Sequence, residues 1–487
     1  MQQKQENPNP AQLLGCLAQP AGGSSLEQPG DIALGATARE AGAGQERRRL
    51  AREVMELSGP AIGEQLLWTA VQMTALIIVG RLGPEAIAAV GVSNQLNWLL
   101  TSGFFALGSG TTTLVSRFIG SGDRALAYEA TRQAIVVALG VAILVVACGF
   151  VLTPQLLWFM GAAPDVSPLA SQYLRLSLVA SLFLSINTCY AAALRGSGDT
   201  KTPFKVGLAG ALFNILVMWL LVYGRFGLPQ MGVAGAGLGL IISYALIFGV
   251  YSGLFARDRL AIRLSMLGYR FDTALVRRLL AVGLPAALEQ LLMSGGMTVF
   301  ARLVMSLGTI AYASHQVSAN ITSLSYMTGM GFSMAATTLV GRSLGEDRPD
   351  RAEAYARMTQ RIGILMMSAL AAGFFLLGPI LVRFYTDEAE IIQQGAMILK
   401  IAAFAQPAIA SYSILAGALR GAGDTRYPLY ITFAGIWTMR IGTAYVLVNT
   451  FHMGLTGVWL AVNLDQWVRT LLVMLRFGSG RWKTVRV

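Results

Sequence analysis

Apolar runs of about 20 residues recur along the chain from residue 57 onward, separated by short polar or charged connections. A helix needs about 20 apolar residues to cross roughly 30 Å of hydrocarbon. The pattern therefore predicts an all-α membrane protein with twelve transmembrane helices. The predicted spans are 57–80, 88–118, 128–153, 168–194, 203–224, 232–256, 280–305, 311–341, 356–385, 391–418, 427–449 and 456–476.

The chain also repeats itself at a constant offset, and we call two positions at this offset repeat-related. GPAIGEQLL at 59–67, TTLVSR at 112–117 and AAALRGSGDT at 191–200 return as LPAALEQLL at 284–292, TTLVGR at 337–342 and AGALRGAGDT at 416–425. The matches include Glu, Gln, Arg and Asp, which a shared preference for apolar residues does not explain. We predict two homologous six-helix lobes, parallel repeats about an axis along the membrane normal, that enclose one substrate pathway. A duplicated scaffold without transport activity is the alternative.

These runs and their flanks predict the organisation of the chain. The basic, weakly amphipathic sequence ERRRLAREVM before the first span suits a short helix at an anionic membrane surface. The predicted segments are a disordered cytoplasmic tail at 1–45, a basic juxtamembrane segment at 46–56, an N-lobe at 57–256, a cytoplasmic inter-lobe linker at 257–279, a C-lobe at 280–476 and a cytoplasmic C-terminal tail at 477–487.

Composition and charge agree with a membrane protein. Of 487 residues, 54% are hydrophobic and 13% charged, which is more apolar surface than a soluble core buries. A net charge of +12 fits nucleic-acid binding, but the Lys and Arg lie in short connections between spans, so we expect no nucleic-acid partner. They favour alternate connections, and the positive-inside rule then places both termini in the cytoplasm. We expect a monomer in the bilayer of the inner (plasma) membrane.

The motifs resemble those of a known family. VGRLGPEAIAAVG, TTLVSRFIG and ALRGSGDTKTP, with the second copies SLGTIAYASHQVSANI, TTLVGRSLG and ALRGAGDTRYP, resemble the multidrug and toxic compound extrusion (MATE) family from about residue 56 to the C-terminus. The resemblance implies a V of two lobes, no cofactor, and export of organic, often cationic, small molecules in exchange for H⁺ or Na⁺ by alternating access. A flippase or exporter of a lipid-linked or other endogenous metabolite in the same superfamily is the alternative.

The sequence departs from this family at the best-known acidic positions. Many relatives carry a carboxylate in span 1, archaeal-type members one in span 5 and another branch one each in spans 7 and 10. At or near these places this chain has Ala75, Met218, Met293 and Ile409. The coupling site therefore has to be found among the polar residues that are present.

Two glutamates stand at repeat-related places in spans 1 and 7. Glu64 is followed by Gln65, and Glu289 by Gln290. A carboxylate at hydrocarbon depth needs a partner, a proton or a water-filled cavity. One interpretation is that a glutamate binds and releases the coupling H⁺ or Na⁺. The other is structural, with each carboxylate holding backbone or amide donors near the break made by the proline four residues earlier.

Further polar residues lie within the predicted spans. Gln72 shares a helix face with the span 1 glutamate, Asn214 matches one position of an ion-binding pattern in archaeal-type relatives, and His315 is either a proton relay or a packing residue. Arg440 and Asp465 fall at one depth on spans 11 and 12 and can form an intramembrane ion pair. That pair is either structural or part of substrate or proton movement.

Other chemistry finds little support. The two LRGxGDT loops read as loop structure, with Gly ending one helix and Asp or Thr capping the next. His315 and His452 are far apart, so neither a catalytic cluster nor a metal site is predicted. A membrane-embedded enzyme or a passive channel is the alternative from a different class. The natural substrate, the choice between H⁺ and Na⁺, and the coupling carboxylate stay open.

Overall fold

A computed structural model describes residues 29–161, 163–227, 229–256 and 269–485, with side chains from residue 44. The chain falls into two compact units, Met1–Arg49 and Leu50–Val487. The second unit contains the repeats and all candidate site residues.

The described residues form helices joined by short turns. In chain order these are α1 (Pro29–Gly80), α2 (Pro84–Gly120), α3 (Arg124–Phe159), α4 (Ser167–Gly196), α5 (Lys201–Tyr223), α6 (Gly232–Ala256), α7 (Thr273–Met305), α8 (Thr309–Gly345), α9 (Pro349–Arg383), α10 (Ala389–Gly421), α11 (Arg426–Phe433), a π-helical segment (Ala434–Gly442), α12 (Thr443–Asn449), α13 (Gly454–Gly478) and a 3₁₀ turn (Arg481–Thr484).

Each predicted span coincides with part of one helix and extends past its ends by at most two residues. For the eleventh span, this counts α11, the π-helical segment and α12 as the single helix Arg426–Asn449. Ten helices in the described part of the chain are long and apolar enough to cross a membrane by length and composition. The two that fall short are α2 and α8, because they are rich in Ser, Thr and Gly. Their small polar side chains are buried against neighbouring helices, which explains why each helix is less apolar than a lipid-facing one.

The predicted segment boundaries stay predictions, and the structure places the following elements beside them. The predicted disordered tail lies outside the described residues up to 28, and the printed bounds of α1, Pro29–Gly80, include the predicted basic segment 46–56. Residues 257–268 of the predicted linker lie outside the described residues, and α7 already begins at Thr273. The predicted C-terminal tail contains a 3₁₀ turn with a buried tryptophan, Trp482.

The halves before residue 257 and after residue 268, here called the N-half and the C-half, exchange the beginnings of their first helices. Leu275 and Leu279 of α7 are buried in a cluster with α2, α3, α4 and α6 of the N-half. Reciprocally, Val54 and Ile62 of α1 are buried in a cluster with α8, α9, α10 and α13 of the C-half. The exchange packs the two halves against each other at one end, around α2 and α8, which also contact each other.

We call this end the basic end. It is where α2, α4, α8 and α10 finish and where α3, α5, α9 and α11 begin. It carries both LRGxGDT loops and most of the Lys and Arg of the connections.

Candidate functional site

Each candidate glutamate lies in an ion pair with the arginine of an LRGxGDT motif. The Arg195 guanidinium donates to both carboxylate oxygens of Glu64, at 2.9 and 3.1 Å. The Arg420 guanidinium donates to Glu289 Oε1 at 3.0 Å. The two pairs are repeat-related in both members. Each pair ties α1 or α7 to the end of α4 or α10.

The prediction that the LRGxGDT motifs are loop structure alone is therefore wrong for their arginines. It describes the rest of the motif better: Gly198 and Gly423 have φ of 93° and 85°, the left-handed region that glycine tolerates. Asp199 Oδ1 accepts the Thr202 backbone N–H at 2.9 Å, as a helix cap does. Asp424 instead accepts the Arg476 guanidinium at 2.8 Å.

Glu289 has more partners than Glu64. Its Oε1 also accepts the Thr432 hydroxyl at 3.1 Å and the Tyr412 hydroxyl at 3.3 Å, and these two hydroxyls lie 2.7 Å apart. The repeat-related residues of the N-half are Asn187 for Tyr412 and Gly207 for Thr432, and glycine has no side chain to donate. Glu289 is consequently buried, whereas a quarter of the Glu64 side chain is exposed.

Arg440 and Asp465 are in contact, and a third residue joins them. Arg440 Nη2 lies 2.6 Å from Asp465 Oδ2, and Arg469 Nε lies 2.6 Å from Asp465 Oδ1. All three side chains are buried. The carboxylate thus serves two guanidiniums at once, which is the arrangement that keeps buried arginines from being unpaired.

The π-helical segment positions Arg440 for this contact. Its nine residues have the i→i+5 hydrogen bonding of a π-helix in place of the i→i+4 bonding of an α-helix, and such segments are frequent at functional sites. Gly435 in the same segment faces the ion cluster, and a Cβ at this position would overlap Arg469 Nε and Asp465 Oδ1. The lack of a side chain there lets α13 approach closely enough for the carboxylate to reach both arginines.

The two groups of charges in the C-half are continuous. The Arg469 guanidinium lies over the Tyr412 ring, 5.5 Å from its centroid, and Tyr412 donates to Glu289. We call the connected set the C-half network: Glu289, Tyr412, Arg420, Thr432, Arg440, Asp465 and Arg469. It holds two carboxylates and three guanidiniums.

The sequence reasoning missed Arg195 and Arg420 as partners, although a signal was present. In both halves the motif arginine follows the glutamate at the same spacing along the chain, and both residue types survive in both copies. A buried glutamate that keeps an equally preserved arginine in each copy of a repeat is a candidate ion pair.

The remaining predicted site residues are dispersed. Gln65 donates to the Met334 sulfur at 3.7 Å, a contact between α1 and α8. Gln290 is half-buried and Gln72 is exposed. Asn214 bonds to Ser243 Oγ at 3.1 Å and to the Gly239 carbonyl, so it joins α5 to α6.

His315 lies in an aromatic group on the C-half. Its ring centroid is 5.5 Å from that of Trp459, 5.9 Å from Phe300 and 6.4 Å from Tyr312. The Arg440 guanidinium lies over the Phe300 ring of this group, 5.7 Å from its centroid. The contacts of His315 are those of a packed aromatic residue beside the C-half network.

The backbone at each motif arginine also contacts the opposite half. Thr113 on α2 donates to the Arg420 carbonyl oxygen at 3.0 Å, and Thr338 on α8 donates to the Arg195 carbonyl oxygen at 3.1 Å. These two bonds are again repeat-related. Each arginine therefore holds a glutamate of its own half through its side chain and a hydroxyl of the other half through its backbone.

Glycines let α2 and α8 cross in close contact at the basic end. A Cβ on Gly120 would overlap the Arg342 carbonyl, and a Cβ on Gly345 would overlap the Arg117 carbonyl. Each of these Cβ atoms would also lie 3.0 Å from the Cα of the other glycine. Small residues at a helix crossing allow backbones to approach where lipid provides no hydrophobic driving force.

In the described part of the chain, no group of three or more His, Cys, Asp or Glu side chains is placed to hold a metal ion. The charged side chains of the site lie in ion pairs within each half, and the backbone of each motif arginine also bonds to the other half.

Comparison with known proteins gives the family. The MatE family model matches the chain twice, at residues 60–220 and 285–446, so its two matches begin at repeat-related positions. The chain is 31% identical to the probable multidrug resistance protein NorM of Thermotoga maritima over 440 residues, which cover 90% of this chain and 94% of that one. It is 27% identical to the multidrug resistance protein MdtK of Edwardsiella ictaluri, over 90% of this chain and 96% of that one.

A solved structure has the same fold. It is the outward-facing conformation of a multidrug resistance MATE family transporter of the MOP superfamily, with a TM-score of 0.83 at 22% identity, covering 89% of this chain and 97% of that one. The two matches to one family model, the extended identity to NorM and the shared fold together show that this chain belongs to the MATE family of membrane transporters.

Proposed function

We propose that this protein is a secondary active multidrug efflux antiporter of the inner membrane, which exports organic, cationic compounds in exchange for H⁺ or Na⁺. Family membership and the names of its relatives support efflux. In this proposal the chain crosses the bilayer twelve times, its halves are two lobes, and both termini are cytoplasmic. The basic end is then the cytoplasmic end, as the positive-inside rule requires.

One observation carries the proposal: the reciprocal contacts between the halves at the basic end. The crossing of Gly120 and Gly345, the two threonine bonds and the exchanged helix starts all lie there. A transporter closed at the cytoplasmic end would have this arrangement, and it would open that end by breaking contacts related by the repeat. Two lobes that rock about such an axis expose a central pathway to each side in turn.

We further propose that Glu289 is the coupling carboxylate. Arg420, Tyr412 and Thr432 all donate to the buried Glu289 carboxylate, which compensates for the loss of water around it. Binding of H⁺ or Na⁺ to Glu289 would compete with Arg420 for the carboxylate. Because the Arg420 backbone is also bonded to Thr113 of the other half, a change at this ion pair acts on the contact between the halves.

The test is transport by purified protein in liposomes loaded with a fluorescent organic cation such as ethidium. An imposed H⁺ or Na⁺ gradient should drive ethidium against its own concentration gradient. A passive channel would let ethidium move only down its own electrochemical gradient. Gradient-dependent movement of a lipid-linked compound without any movement of ethidium would favour the flippase alternative.

A further inference from the structure

The chain beyond α13 turns back into the C-half. It reverses at Gly480, whose φ is 69°, and forms the 3₁₀ turn Arg481–Thr484. Trp482 is fully buried and stacks on Phe477 with ring centroids 4.8 Å apart. Its indole N–H donates to the Phe477 carbonyl at 2.9 Å, so the polar atom of the buried ring is satisfied.

Neighbouring contacts fix this turn to other helices of the C-half. The Lys483 ammonium lies 2.6 Å from Glu353 of α9. Trp482 belongs to the same buried cluster as Tyr355 of α9 and Leu419 of α10. The turn is therefore a packed part of the C-half at the basic end.

The residue after the turn reaches the N-half. Arg117, near the end of α2, donates from Nη2 to the Val485 carbonyl oxygen at 2.9 Å. The same nitrogen donates to the Ala422 carbonyl oxygen, beyond the end of α10, also at 2.9 Å. One guanidinium of the N-half thus holds two carbonyls of the C-half.

The repeat-related arginine makes a different contact. Arg342 bonds to Glu346 on its own helix end, at 3.2 Å, and about half of its side chain is exposed. The link through Arg117 and Val485 is thus an addition to the repeat-related contacts.

We propose that Arg481–Val485 is a strap that joins the two halves at the basic end and favours the state in which that end is closed. Trp482 anchors the strap in the C-half, and the Val485 carbonyl receives Arg117 of the N-half. Opening of the basic end separates Arg117 from both carbonyls. Because the donor is charged, loss of these bonds shifts the equilibrium more than loss of a neutral bond does. This inference rests on the proposed alternating access.

The experiment measures the distance between the halves by electron–electron double resonance on the full chain in nanodiscs. Spin labels replace Arg124 and Arg348, two exposed residues at the starts of α3 and α9, in a background with the three cysteines Cys16, Cys148 and Cys189 replaced. The labelled protein with an unaltered strap should give two distances between the labels, a short one when the basic end is closed and a longer one when it is open. Their proportions should depend on pH and substrate.

Trp482→Ala and Arg117→Gln should each raise the ratio of open to closed populations, by about tenfold if a charged hydrogen bond is lost. In the double variant, the ratio of open to closed populations should rise by less than the product of the two single fold-changes, since both substitutions act on the Val485 contact. Arg342→Gln is the matched control and should leave the ratio within about twofold.

The outcomes separate the strap from the proposed function. Two distances whose ratio responds to pH or substrate, but not to Trp482→Ala or Arg117→Gln, would overturn the strap and leave alternating access standing. The strap would also be overturned if Arg342→Gln raised the ratio of open to closed populations as much as Arg117→Gln does. A single distance under every condition would contradict alternating access itself and the strap with it.

Discussion

The two repeat-related glutamates have the same arginine partner but different surroundings. Glu64 forms only its pair with Arg195 among the contacts described for its carboxylate, while Glu289 also receives two hydroxyls and connects through Tyr412 to Arg469. An ion pair kept in both copies serves a role that both halves need, which is to tie α1 or α7 to the end of α4 or α10. The additional partners in the C-half make Glu289 the better candidate for a role that only one half performs.

Substitution of each glutamate tests this difference. We expect Glu289→Gln to abolish gradient-driven efflux, because an amide cannot exchange a proton or Na⁺ and leaves Arg420 without a counter-charge. Glu64→Gln should retain partial efflux, since the amide can still accept from Arg195 and the site is more exposed. Efflux from liposomes and ethidium binding in detergent are measured for both variants. Binding by Glu289→Gln should persist, and equal efflux from the two variants would remove Glu289 from the coupling role.

Asp465 is a second residue on which buried charge depends. Asp465→Asn leaves Arg440 and Arg469 both buried without a counter-charge, and we expect a loss of about 3–5 kcal/mol in stability. Thermal unfolding in detergent measures the loss. Asp123→Asn is the control, because this exposed residue caps α3 and asparagine caps a helix about as well. A melting temperature for Asp465→Asn equal to that of Asp123→Asn would show that the ion cluster does not stabilise the fold.

At the level of elements, the apolar pattern predicted the helices well and their interruptions poorly. The helices lie where they were expected because each apolar run is bounded by Gly, Pro or charged residues that the sequence displays. The π-helical segment is invisible to that pattern, since AGIWTMRIG is as apolar as an α-helical span. Residues Gly435 and Arg440 of this segment lie against Asp465 of α13, and contacts with a distant helix leave no local signal in the sequence.

Two glycines of the π-helical segment offer a matched comparison. A Cβ on Gly435 would overlap Asp465 and Arg469, whereas a Cβ on Gly442 would meet nothing within 4 Å. We expect Gly435→Ala to lower stability by about 1–3 kcal/mol through displacement of the ion cluster, and Gly442→Ala to have little effect or to stabilise slightly. Thermal unfolding of the two variants measures this. Equal melting temperatures would mean that the approach of α13 to the segment does not depend on Gly435.

On the scale of the whole molecule, several contacts come in pairs that follow the internal repeat, although the sequence analysis did not predict them. The ion pairs Glu64–Arg195 and Glu289–Arg420 and the bonds from Thr113 and Thr338 follow the repeat. The Arg440–Asp465 ion pair of the C-half network and the Arg117–Val485 bond do not follow the repeat. Tertiary contact between distant positions decides these exceptions, and one sequence does not record it.

The central claim is that the halves separate at the basic end during each transport cycle. It is tested by joining them there, with cysteines replacing Ser121 and Asp347 in a background without the three native cysteines. Both positions are exposed and lie within two residues of the Gly120–Gly345 crossing. A short bifunctional thiol reagent with a cleavable link connects them, and the single-cysteine variants treated with the same reagent are the controls.

Gradient-driven ethidium efflux in liposomes is the measurement. The account predicts that the cross-link stops efflux in the double-cysteine variant, that cleavage of the link restores it, and that the single-cysteine variants keep transporting throughout. Unchanged efflux with α2 and α8 covalently joined at their ends would contradict separation of the halves and the transport mechanism built on it.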